Sequence, residues 1–131
     1  MTVDIKRNIN FYRNFDKNND LWCDCVYCKF YRSKIGKIYP EISKYLEKLA
    51  IDINKPYESS LPFLSEDNKL SYDFAWYICF GDEDGLNNIE IDGANIRKTL
   101  DYPDPGLDSQ YFILEIGPLY LGDKSDYANL G

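Results

Sequence analysis

The 131-residue chain predicts an α+β fold: a mostly antiparallel sheet of three to five strands with an N-terminal helical pair packed on one face. Three observations carry this expectation. Apolar residues recur at helical spacing between Cys25 and Ala50, they alternate with period two from Leu70 to Phe80, and an Asp92-Gly93 pair separates two further alternating runs. The length suits a single globular domain over residues 1–131 that buries a core unaided, since chains below about 40 residues are the ones that usually depend on disulfides or metals.

Taken in order, Ile5 to Phe11 alternates weakly and reads as a strand, followed by a turn at "DKNND". From Cys25 to Tyr39 the period becomes helical: Cys28, Tyr31, Ile35, Ile38 and Tyr39 share one face, and Lys29, Arg32, Lys34 and Lys37 fall largely off it. Pro40 ends this helix and opens the next, because a first-turn residue needs no N–H partner. The second helix runs to about Ala50, with Glu41 at its positive end, Lys48 at its negative end, and Ile42, Tyr45, Leu46 and Leu49 as its apolar stripe. A loop follows through Pro56, Ser59, Ser60 and Pro62 to Asn68.

In "LSYDFAWYICF", one strand face holds Leu70, Tyr72, Phe74, Trp76, Ile78 and Phe80, and this face is expected to be core. Cys79, on the other face with Ala75 and Tyr77, is expected to point away from it. Asp92-Gly93 supplies the positive-φ pair of a type I′ turn, so Ile89 and Ile91 would oppose Ile96 and Ala94 in a hairpin. A short helix over residues 94–100 is the competing reading, since Ile96 and Leu100 are also four apart. "YPDPG" breaks the chain. A last strand, Tyr111 to Ile116, is apolar on both faces, as a central strand under helices would be.

Charge is split along the chain. Residues 1–50 carry ten Lys/Arg against six Asp/Glu, and residues 51–131 carry five against sixteen, for a net of −7 overall. An acidic chain argues against nucleic acid, whose affinity comes from neutralising phosphates. The aromatic residues Trp22, Tyr27, Phe30 and Tyr31 interleave with basic ones, yet aromatics at helical spacing are usually core. No apolar run approaches the roughly 20 residues needed to span a bilayer, and the first residues lack the apolar segment of a secretory signal, so a cytoplasmic protein with no membrane partner is expected. The abundance of Ile, Asn, Lys, Tyr and Asp beside four Ala and four Arg matches AT-rich codons, as in a low-GC bacterium or its phage.

The chemistry concentrates in "WCDCVYCKFY". Three of the four cysteines fall within six residues, and there is no histidine. In a reducing compartment such a cluster points to metal, redox chemistry or burial before a structural disulfide. A zinc site needs four ligands; Cys23, Cys25 and Cys28 supply three, and Cys79 is the one remaining thiol, with Asp24 as a strained oxygen substitute. A redox reading uses Cys25 and Cys28 as a CxxC pair at a helix N-terminus, where the dipole favours the thiolate, with Cys23 as a resolving thiol. The plain alternative makes all four cysteines small hydrophobes or surface residues.

Other constellations fail. Without histidine there is no Cys/His or Ser/His nucleophile pair. Asp16, Asn18 and Asp20 have calcium-loop spacing, but Leu21 stands where glycine is needed and Tyr27 where a bidentate Glu belongs. Asp82, Glu83 and Asp84 read as a solvated turn, and the glycines are too scattered to cradle a phosphate.

The run "CDCVYCKFY", followed by "YLEKLAIDINKPYE", resembles a family of small uncharacterised bacterial proteins in which a CxCxxC segment enters a helix and an LxxLGIDxxKP-like segment follows. The resemblance covers residues 22–58 and departs at Ala50, where glycine would cap the helix. It implies an element layout and no activity. Three functions are therefore expected in this order: a non-enzymatic module that binds another protein, a thiol-disulfide protein using Cys25 and Cys28, and a zinc-stabilised binding domain using Cys23, Cys25, Cys28 and Cys79.

Overall fold

Asp4 decides the first element. Its carboxylate accepts the Arg7 backbone N–H at 3.0 Å and caps a helix, α1, over Ile5–Arg13. The expected strand at Ile5 to Phe11 is thereby corrected. The alternation misled because the helix buries a polar residue, Asn8, on the same face as Tyr12. Asn8 donates to the Leu49 carbonyl at 2.8 Å and accepts the Phe80 N–H at 2.9 Å, so its amide replaces apolar contact with hydrogen bonds.

The computed structural model describes residues 2–17, 21–100, 102–123 and 125; Asn18 and Asp20, part of the turn named above, lie outside these. After α1 and a 3-10 turn at Phe15–Lys17 come the two expected helices, α2 at Val26–Ile38 and α3 at Pro40–Lys48, joined at Tyr39. Among the described residues there are nine strands, in chain order β1 (Thr2–Val3, before α1), β2 (Glu58–Ser59), β3 (Phe63–Leu64), β4 (Lys69–Tyr72), β5 (Ala75–Asp82), β6 (Ile89–Ile91), β7 (Ala94–Thr99), β8 (Tyr111–Gly117) and β9 (Leu119–Asp123). The fold is α+β, with more strands than expected. One sheet has the order β1-β5-β8-β7-β6, with β2 also on β5, and a second has the order β3-β4-β9. All these pairings are antiparallel. Two of the short strands, β2 and β3, fall within what read as a loop.

The hairpin forms as its turn dictates. Asp92 and Gly93 have φ of 52° and 84°, the type I′ pair, and Ile89 opposes Ile96 while Ile91 opposes Ala94. The competing helix over 94–100 is overturned, because the turn commits β7 to the sheet. β8 lies between β5 and β7, the central position its two apolar faces required.

The long strand is not one strand. It breaks at Asp73–Phe74 between β4 and β5, opposite the break at Pro118 between β8 and β9. Tyr72 opposes Leu119 and Ala75 opposes Ile116, so three steps on one side match three on the other. One continuous antiparallel pair thus bends from the first sheet into the second. At the bend, the Ser60 hydroxyl accepts the Asp73 N–H at 2.8 Å and the Phe74 N–H at 3.3 Å.

Both faces of β5 are buried, and the roles expected of them are reversed. Ala75, Tyr77 and Cys79 belong to the main core with Phe30, Tyr31, Ile35, Ile42 and Leu46 of α2 and α3; Trp76, Ile78 and Phe80 form a smaller cluster with Ile113. Cys79 therefore sits in the principal core. Hydroxyls tie α2 to both sheets. Tyr31 reaches Tyr77, which donates to the Ile53 carbonyl at 2.7 Å; Tyr72 donates to the Tyr27 carbonyl at 3.0 Å; Tyr39 accepts the Tyr120 N–H at 3.0 Å.

The end of α3 shows what replaces the glycine that the resemblance led one to expect. Ala50 adopts the left-handed region with φ of 60°, and the N–H groups of Ala50 and Ile51 bond the Glu47 and Leu46 carbonyls, each at 2.9 Å. This is a Schellman closure carried by a residue with a Cβ. Ala50→Gly is expected to stabilise the fold by about 1 kcal/mol, since glycine takes this conformation without the steric cost. A urea midpoint that fails to rise would show the strain to be absent.

Candidate metal centre

The thiol segment is positioned from both sides. Cys25 is the N-cap of α2, with extended dihedrals of φ −71° and ψ 167°. Cys28 lies in the first turn, where a helical side chain leans back toward the N-terminus, and Cys23 lies two residues before the cap. The three sulfurs consequently converge: all lie within 4.8 Å of one another. A zinc ion with Zn–S bonds of about 2.3 Å needs sulfurs about 3.8 Å apart, so closure asks each for shifts of well under about 1 Å. Cys23 and Cys25 are exposed and Cys28 half-buried, leaving their rotamers room to adjust.

Arg32 holds this arrangement from within the helix. Leaning toward the N-terminus, its guanidinium donates to the Cys23 carbonyl at 2.8 Å and to the Asp24 carboxylate at 3.1 Å, and it stacks 4.0 Å from the Trp22 ring centre. Trp22 in turn meets Phe15 edge-on, with centroids 6.3 Å apart. Sequence reading placed Arg32 only as an off-stripe cation. Its seven-residue spacing from Cys25, two helical turns, was the available signal. The contact also engages Asp24, the carboxylate considered as an oxygen ligand.

The thiols are electrostatically unequal. Partial burial pushes the Cys25 thiol up, but the Cys28 N–H, the Cys23 and Cys28 thiols and the Tyr27 N–H outweigh it and bring the group below its ordinary value. Although Cys25 closes no side-chain cap hydrogen bond, these N–H groups still draw negative charge toward its sulfur. Cys28 is pushed strongly up, first by burial and then by the two neighbouring thiols. Between Cys25 and Cys28, the thiolate is therefore favoured at Cys25.

Cys79 is elsewhere. It is fully buried, its sulfur 3.6 Å from Asn8 Nδ2 and 3.8 Å from the Phe80 carbonyl, and it is not one of the mutually close thiols. Burial raises it to about 11, with the Asn8 contact opposing. The structure thus brings together three of the four sequence-nominated cysteines and leaves the fourth in the buried core beside Asn8.

Cys23, Cys25 and Cys28 all line one cavity of about 450 Å³, whose other walls include Leu21, Trp22, Tyr31, Tyr57 and Leu61. Tyr57 ties the wall by donating to the Pro103 carbonyl at 2.8 Å. Of the aromatics named for base stacking, Phe30 and Tyr31 are buried in the core, Trp22 lies under Arg32, and Tyr27 is exposed and lines the cavity. No described helix is long and apolar enough to cross a membrane.

Comparison with known proteins found no matching family model, no matching curated protein and no matching solved structure, so the resemblance over residues 22–58 rests on its motif alone.

Proposed function

We propose that this protein is a metal-binding module that holds a zinc ion through the thiolates of Cys23, Cys25 and Cys28, with the fourth coordination position left to a ligand other than Cys79. The observation that carries the reading is the mutual approach of three sulfurs to within 4.8 Å at the mouth of α2. The donor chemistry agrees, because soft thiolates select zinc over hard cations. This observation supports the zinc reading over the interaction module, since converging thiols are a donor set that a soft metal uses directly. It also shortens the four-cysteine ligand set to three.

Protein purified without chelator is expected to carry about one zinc per chain, and chelation is expected to lower its melting temperature, since a ligand present at about 1,000 times its Kd stabilises by about 4 kcal/mol. Metal-free protein that also takes up no zinc on titration under reducing conditions would end the proposal.

One observation favours a second, thiol-disulfide reading, namely the opposite displacement of Cys25 and Cys28. A lowered pKa means that thiolate persists at pH values where an ordinary thiol is protonated. In zinc-free protein, Cys25 is therefore expected to be alkylated by iodoacetamide ahead of Cys28, with a rate–pH midpoint below that of a free thiol. Equal labelling of the two would remove this reading and leave the first intact.

A further inference from the structure

We propose that the fourth coordination position takes a small organic thiol with an apolar body, bound in the cavity that the three cysteines line; this rests on the zinc reading above. The chain offers no histidine, and its fourth cysteine is committed to the core with Asn8 beside it. Asp24, the nearest carboxylate in sequence, is held by Arg32 at 3.1 Å. A three-thiolate centre therefore completes itself from outside the chain's own soft ligands. Next to it lies a cavity of about 450 Å³, within the size range of small-molecule sites. Leu21, Trp22, Tyr57 and Leu61 give it apolar and aromatic wall, and the charged Arg32, Lys55 and Glu58 line it as well. A soft metal ion selects a sulfur donor over oxygen, and an apolar wall selects an apolar body. The ligand enters as a thiol and binds as a thiolate: one S–H bond breaks, its proton passes to solvent, and one metal–sulfur bond forms in place of a metal–water bond. No electrons are transferred.

Cobalt(II) substituted for zinc reports the donor set through its visible ligand-field bands. The cobalt-loaded chain, kept anaerobic, is titrated with phenylmethanethiol, 2-mercaptoethanol and phenylmethanol. The expected result is a three-sulfur spectrum that shifts to a four-sulfur one with the two thiols and not with the alcohol. Phenylmethanethiol should bind at least about tenfold more tightly than 2-mercaptoethanol, because only it buries a ring against the cavity wall. Leu61 lines the cavity while 74% exposed, so Leu61→Asp leaves the fold unburdened; it should weaken phenylmethanethiol several-fold and leave 2-mercaptoethanol unchanged. Equal affinity of the two thiols, or cobalt bound with no thiol response, overturns this inference and spares the zinc reading. A four-sulfur spectrum before any thiol is added, as a second copy of the chain would give, also overturns it. Failure to bind cobalt or zinc at all overturns both.

Discussion

Gly117→Ala is expected to destabilise the fold by about 3 kcal/mol or more, lowering the melting temperature by roughly 10 °C for a chain of this size. A Cβ built on Gly117 falls on the Asp73 carbonyl oxygen, with the Asp73 carbonyl carbon 3.0 Å and Phe74 Cα 3.1 Å away. All three are backbone atoms, so no rotamer change relieves the overlap. Nor can the strands part freely. Gly117 is also paired with Asn95 on β7, and the Asp73–Phe74 backbone on the other side is fastened by Ser60. The close approach is how the long strand pair turns from one sheet into the other. Thermal unfolding followed by circular dichroism measures the effect; a change of less than about 2 °C would mean that the Asp73 peptide yields cheaply.

The second large effect concerns the metal. Zinc in structural sites is worth on the order of 12 kcal/mol over four ligands, or about 3 kcal/mol each, so Cys25→Ser is expected to weaken zinc binding by about 100-fold. Cys23→Ser and Cys28→Ser should act alike. Cys79→Ala should do something different: zinc affinity unchanged, stability lower by about 1 kcal/mol through the loss of a buried sulfur and of its contact with Asn8. Competition with a chromophoric chelator gives the affinities, and denaturant unfolding gives the stabilities. A loss of affinity in Cys79→Ala comparable to that in Cys25→Ser would restore the four-thiolate site and count against an open position.

Local chemistry explains which elements were legible. Asp92-Gly93 specifies its turn within two residues, and the turn then forces Ile89 opposite Ile96. The Pro40 boundary between α2 and α3 is equally local. α1 was misread because Asn8 breaks its apolar stripe, and Asn8 is acceptable there only through the Leu49 carbonyl and the Phe80 N–H, which lie 41 and 72 residues away. The strand from Leu70 to Phe80 was read as continuous because its bend is imposed by Gly117 and Ser60, neither of which marks the strand itself. Ala50 stands where glycine is expected, and the helix closes regardless, since the buried Ile51 and two carbonyl bonds hold the left-handed residue in place.

The same division runs through the candidate site. The sequence by itself determined the helix mouth, the three thiols gathered there and the absence of any imidazole, because those depend on spacings of two and three residues and on composition. Only the tertiary structure decided that Cys79 stays in the core, that Arg32 clasps the Trp22–Asp24 loop and that a cavity opens beside the sulfurs. Alternation shows that a strand has two faces and leaves open which of them the helices cover; where both faces are apolar, packing between distant segments makes that choice.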